Sequence, residues 1–177
     1  MKVKNERTRL LCISALFAAI IYIFTAFFHI PSHTGYTHIG DAFVYLAGCL
    51  LPTPYAVAAA SIGGVLADVF SGAAVWAIPT AIIKAVMALC FTAKKERLLC
   101  LRNWLAPLFA GLVCVGGYYV AETVILVLGG SAWPAAFVGA VAGISFNTVQ
   151  VLGFGIAYIV LAAALDRLAI KTRLSRL

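Results

Sequence analysis

Charge is scarce in this chain. Of 177 residues, 11% are Asp, Glu, Lys or Arg and 64% are apolar, whereas a soluble domain carries about a quarter charged residues. With a mean hydropathy of +1.05, that deficit excludes an ordinary soluble domain. The apolar residues form long runs along the whole chain, so the unit to count is the membrane span. Acidic residues are the rarest charges, six Asp and Glu against thirteen Lys and Arg. In a bilayer protein the resulting +7 is first a matter of topology rather than of nucleic acid. The five cysteines, Cys12, Cys49, Cys90, Cys100 and Cys114, form no C-x-x-C and no paired spacing, which leaves them as reduced packing residues. There is no strand alternation, low-complexity tract or convincing internal repeat. No G-x-x-x-x-G-K-[ST] loop is present, so ATP is not used by this chain, and no H-E-x-x-H or G-x-S-x-G motif supports an enzyme.

What is present is a set of segments long enough to cross a bilayer. A helix rising 1.5 Å per residue needs about 20 residues to cross roughly 30 Å of hydrocarbon. The runs 10–28, 75–92, 104–128 and 134–162 meet or approach that length. The first follows a basic stretch, MKVKNERTRL, as a signal peptide would, but it is too long for such a core and no A-x-A site follows, so it is read as the first span. Between the first two runs, 41–70 carries Pro52-Thr-Pro54 in its middle and is read as two helices turning at the prolines, about 39–52 and 54–70.

Six spans result, and the charges agree with that number. Twelve of the thirteen basic residues fall in three places: Lys2, Lys4, Arg7 and Arg9; Lys94, Lys95, Arg97 and Arg102; Arg167, Lys171, Arg173 and Arg176. After zero, four and six crossings all three face the cytoplasm, as do both termini. The segments 29–40, 71–75 and 129–133 then lie outside and contain no Lys or Arg, and the first holds His29, His33 and His38. The expected class is an all-α membrane protein, one six-helix bundle, with a minor role for anionic lipid at the basic ends. The pairs Ala15-x-x-x-Ala19 and Gly139-x-x-x-Gly143 allow close helix approach.

Four ionisable residues remain in or at the rim of the apolar region: Asp41, Asp68, Lys84 and Glu122. Each is costly in hydrocarbon unless paired or wet. Asp41 opens its helix, where a carboxylate caps free N–H groups. Asp68 closes the next helix, where the dipole disfavours an anion and a partner or solvent is required. Lys84 and Glu122 lie about 12 Å and 9 Å below the outer ends of their spans, a match of depth that suits an ion pair between them; snorkelling of Lys84 toward Asp68 is the other option. Asn147 and Gln150, three residues apart, share a face with Ser145 and Thr148 close by. Tyr118, Tyr119 and Trp76 offer aromatic faces, while Trp104 and Trp133 suit interfacial belts. These groups gather in the outer half while the inner half is nearly featureless. That pattern describes a pocket open to the outside under the 29–40 loop, with His38 facing the ligand, rather than a channel. Histidine spacings of four and five beside Pro31 and Gly35 are poor evidence for a metal, and no metal or cofactor is expected.

The run GYTHIGDAFVYLAGCLLPTPYAVAAASIGGVLADVFSGAAVWAIPTAIIKAVMAL (35–89), with GYYVAE (117–122) and Asn147-x-x-Gln150, resembles the substrate-binding S components of energy-coupling factor (ECF) transporters. The resemblance implies a membrane subunit that captures a vitamin-like compound outside and delivers it by toppling in the bilayer while docked to a T subunit and two ATPase subunits. It implies that Ala15 and Ala19 face the T subunit, and that the pocket is built from outer helix ends and the first outer loop. The residues gathered above, His38, Asp41, Asp68, Trp76, Lys84, Tyr118, Glu122, Asn147 and Gln150, are then the expected substrate-binding set. The prolines at the inner turn depart from the glycine-containing turn of many S components. Among S components the chain looks closest to those linked with queuosine-type deazaguanine salvage, then to the pyridoxine and hydroxymethylpyrimidine groups, with riboflavin or pantothenate as further alternatives. A guanine-like edge presents adjacent N–H donors that one carboxylate such as Glu122 accepts together. The rival classes are an autonomous proton-coupled transporter using Lys84, Glu122 and Asp68, and an intramembrane enzyme using Asp41 and Asp68 or His38; the chain's size and the lack of an inverted repeat oppose the first.

Overall fold

The computed structural model describes residues 2–31 and 36–176, with side chains over 6–28 and 38–174. Helix α1 (Lys2–Ala26) leads into two short antiparallel strands, β1 (His29–Pro31) and β2 (Tyr36–His38), paired in the register His29 to His38 and Pro31 to Tyr36. Strands of three residues each are too short to show an alternation in sequence, and the fold is otherwise helical. Then come α2 (Asp41–Leu50), α3 (Thr53–Phe70), a 3-10 turn (Ala74–Trp76), α4 (Ala77–Leu89), α5 (Leu101–Leu128), α6 (Trp133–Arg167) and α7 (Ile170–Arg176). Helices α1, α3, α5 and α6 are long and apolar enough to cross a membrane, whereas α2 and the Ala74–Leu89 segment are shorter apolar helices.

Proline and glycine set the breaks. Pro52 carries the extended ψ of 143° before α3, and Pro54 sits in that helix's first turn, where a missing N–H costs nothing. At the other end Gly72 has φ +80° and the Ala73 N–H donates to the Asp68 carbonyl at 2.8 Å, the closure of a helix C-terminus through a left-handed glycine. Gly130, with φ +97°, ends α5 the same way, the Ser131 N–H reaching the Leu126 carbonyl at 3.0 Å.

The shortest of these helices occupies the middle. α2 touches α1, α3, α4 and α6, and eight of its residues, Asp41, Ala42 and Val44 through Cys49, are buried. A segment apolar all round belongs inside a bundle, and enclosure by neighbours removes the need to match the bilayer's thickness. α1 packs on α3, α3 on α4, α4 on α5 and α5 on α6.

The half of the bundle nearest the termini, expected to be nearly featureless, does hold polar groups, and they are spent on structure. Tyr45, Phe91, Phe154 and Tyr158 stack around one another with centroids 4.5–5.6 Å apart. The Tyr158 hydroxyl donates to the Asn103 carbonyl at 3.1 Å and meets Cys49 Sγ at 3.3 Å. The Asn103 side chain accepts from Thr92 N–H and donates to the Thr92 and Leu98 carbonyls. Asp166 accepts the Leu98 and Leu99 N–H groups at 2.7 and 3.0 Å. The three basic clusters meet at this end: Arg9 donates to the Leu174 carbonyl, and Lys171 Nζ to the carbonyls of Ala93 and Lys95.

Candidate functional site

At the opposite end, the four ionisable residues are all buried: Asp41 and Lys84 at 0% exposure, Glu122 at 3% and Asp68 at 5%. Lys84 Nζ lies 2.5 Å from Asp41 Oδ1. This overturns the Lys84–Glu122 pair suggested by equal depth, because depth along the membrane normal says nothing about direction around the bundle, and the enclosed α2 places its first residue directly against α4. It also corrects Asp41 as a cap. Gly40 holds the cap position and no side chain bonds the free N–H groups; a carboxylate with no access to water takes a full counter-charge instead. The second oxygen, Asp41 Oδ2, is buried with no hydrogen-bond partner among the described residues.

Around that pair the structure assembles an aromatic wall. Lys84 Nζ stands 5.6 Å from the centre of the Tyr118 ring, a cation–π distance. The Tyr118 hydroxyl meets Thr80 Oγ1 at 3.1 Å, and the half-buried Trp76 packs edge-on to Tyr118 at 5.8 Å. Thr80, one turn before Lys84 on α4 and 2% exposed, was not singled out from sequence; its i, i+4 relation to Lys84 is the signal that places both on one face.

A second group spans α5 and α6. A methyl at Gly143 would overlap Glu122 Oε2 and sit 3.8 Å from Asn147 Nδ2, so the missing side chain of Gly143 makes room for the carboxylate and Asn147 flanks it. Gly139, one turn away, faces Leu126. The G-x-x-x-G pair therefore marks the crossing of these two helices. Ser145 and Thr148 do not join the group: both are exposed and bond to carbonyls of their own helix, Ala142 and Ile144. Tyr119 turns toward the Phe137 carbonyl instead.

The third group holds the β-hairpin in place. The His38 N–H donates to Gln150 Oε1 at 3.0 Å, and the Gly40 N–H to His38 Nδ1 at 3.1 Å. Gln150 is buried and its oxygen is committed to the chain, while Asn147 is half-exposed. His33 lies outside the described residues, as does the side chain of His29. Asp68 is buried in the last turn of α3. Trp104 and Trp133 are more than half exposed, and so are Leu11 and Leu16 of α1, on which Ala15 and Ala19 are also exposed.

No curated protein matches the chain. A family model described as ECF-type riboflavin transporter, S component, matches residues 5–167, which takes in every helix up to α6 and all the site residues named above. That family is one of transporter subunits rather than enzymes, and membership implies partnership with ECF T and ATPase components. On that match, and with several apolar helices consistent with a multi-pass membrane protein, the chain belongs to the ECF-type riboflavin transporter S-component family.

Proposed function

We propose that this S component crosses a bacterial plasma membrane six times with both termini in the cytoplasm. It captures a flat, donor-rich, vitamin-like heterocycle from outside and delivers it by toppling while docked to the T subunit. The observation that carries the ligand class is one open acceptor beside aromatic faces: Asp41 Oδ2 is buried without a hydrogen-bond partner among the described residues, the other oxygen holds Lys84, and Tyr118 and Trp76 stand next to that pair. An open buried acceptor beside aromatic rings favours a flat ligand that brings N–H donors and disfavours an acyclic anion such as pantothenate. In this reading Glu122 accepts two adjacent N–H groups, Asn147 meets a ring carbonyl and Trp76 or Tyr118 stacks on the ring. Asp68 serves a cationic substituent near the mouth. Lys84 and Asp41 form the floor, with Asp41 Oδ2 as the remaining acceptor, and His38 with Gln150 holds the hairpin lid. Ala15 and Ala19, on the exposed side of α1, face the T subunit.

A queuine-type deazaguanine fits these demands best, having a guanine edge and an ammonium group; pyridoxine and hydroxymethylpyrimidine satisfy them in part. Riboflavin is a second reading, favoured by the family's description. The deciding experiment is mass spectrometry of the small molecule that co-purifies with the chain, followed by titration with queuine, pyridoxine, hydroxymethylpyrimidine and riboflavin. Pantothenate, which has no ring, is titrated alongside, and its binding most tightly would refute this reading of the ligand class. Proton-driven uptake by proteoliposomes holding this chain alone would refute the S-component mechanism.

A further inference from the structure

A cavity of about 570 Å³ opens at the end of the bundle remote from the site just described, between the first turns of α1, the proline turn after α2, the segment leading to α5, and α7. That volume is in the range of small-molecule sites. Its charged lining is Arg9, Lys94, Lys95 and Lys171 against Glu6 and Glu96. Lys171 is spent on two carbonyls, and burial lowers its ammonium from the usual lysine value, which makes it a structural strut. Arg9 is different. Its Nη1 donates to the Leu174 carbonyl, which uses one of the five N–H groups of a guanidinium. A guanidinium that lines a cavity keeps its charge at any physiological pH and suits the oxygens of a phosphate.

The other wall is apolar, formed by Leu10, Ile13, Leu51 and Pro52, and it adjoins the exposed apolar face of α1 at Leu11 and Leu16. A cationic rim over an apolar wall that adjoins an exposed apolar helix face matches a molecule having a phosphate and an esterified glycerol. A free phosphate would leave the apolar wall unused.

We infer that this cavity binds the headgroup of an anionic phospholipid, with Arg9 gripping the phosphate and Lys94 and Lys95 adding charge at the rim. The site is independent of which solute the outer pocket binds.

The test uses the full chain in nanodiscs of phosphatidylcholine with and without phosphatidylglycerol, extracted and examined by native mass spectrometry for retained lipid. Arg9→Gln should retain phosphatidylglycerol about fivefold less well than wild type, the equivalent of roughly 1 kcal/mol for one basic group at a membrane surface. Phosphatidylcholine retention should be unchanged. Lys94→Gln/Lys95→Gln, at two exposed positions where folding is not at stake, should also lose retention and decides the matter if Arg9→Gln fails to fold. Equal retention by wild type and the double variant would overturn the inference. So would displacement of the lipid by millimolar inorganic phosphate, which would assign a free-anion site, or displacement by the T subunit, which would assign a protein-docking site.

Discussion

The Asp41–Lys84 pair offers the sharpest test of how this bundle is built. Both side chains are at 0% exposure and 2.5 Å apart, so neither charge has water to fall back on. Removing one partner of such a pair strands the other, at a cost of about 3–5 kcal/mol, whereas replacing both is close to neutral. Lys84→Met and Asp41→Asn should therefore each be severely destabilising, and the double variant should recover most of the loss. For a chain of this size 1 kcal/mol moves a melting midpoint by about 2–4 °C, so each single variant should melt roughly 6–20 °C lower. The coupling energy of the cycle should be several kcal/mol. The assay is thermal unfolding in one detergent, followed by the loss of monodisperse protein on size-exclusion chromatography. Single-variant losses below about 1 kcal/mol, the value of a solvated ion pair, or strictly additive losses in the double variant, would refute the claim that the pair is dry and mutually dependent.

Other outcomes follow from the same geometry. Gly143→Ala should lower affinity for the co-purifying ligand at least tenfold, about 1.4 kcal/mol, with a smaller effect on melting, because the new methyl overlaps Glu122 Oε2; isothermal titration reads both it and Glu122→Gln, and unchanged affinity in both removes Glu122 from the site. Gln150→Leu takes away the acceptor for the His38 N–H and should raise the ligand's dissociation rate in stopped-flow measurements more than it changes association. Ala15→Trp and Ala19→Trp, at exposed positions of α1, should abolish ATP-driven uptake by the reconstituted complex while sparing binding by the isolated chain; full uptake by both would show that this face does not meet the T subunit. Asp166→Ala leaves the Leu98 and Leu99 N–H groups without their acceptor and should cost about 1–3 kcal/mol per buried donor, read as a lower melting midpoint with ligand affinity intact.

Local signals in the sequence specified the helices well. Hydropathy located the apolar segments, and Pro52-Thr-Pro54 located the break between α2 and α3, because a missing N–H and a fixed φ act on the chain without reference to neighbours. The gathering of Trp76, Lys84 and Tyr118 was visible as polar and aromatic groups at one depth. Their pairing was not. Whether Lys84 meets Asp41 or Glu122 depends on the arrangement of helices around the enclosed α2, and a one-dimensional pattern holds no angular information between elements. Gly143 looked like one of many small residues in an Ala-rich chain, and its meaning emerges only when Glu122 is seen opposite. The inner network escaped notice because Asn103, Tyr158 and Asp166 are scattered in sequence and bond largely to backbone groups, whose donors and acceptors every residue carries alike.

Helix α2 has only ten residues, a rise of about 15 Å, and its leading carboxylate finds its counter-ion forty-three positions later. During synthesis that aspartate therefore emerges before the lysine that neutralises it, and the segment is too brief to anchor itself across a lipid layer. Its final seating has to wait until α4 and α6 have been made. A ribosome-stalled fragment ending before α4 would therefore hold a helix without two of its packing partners.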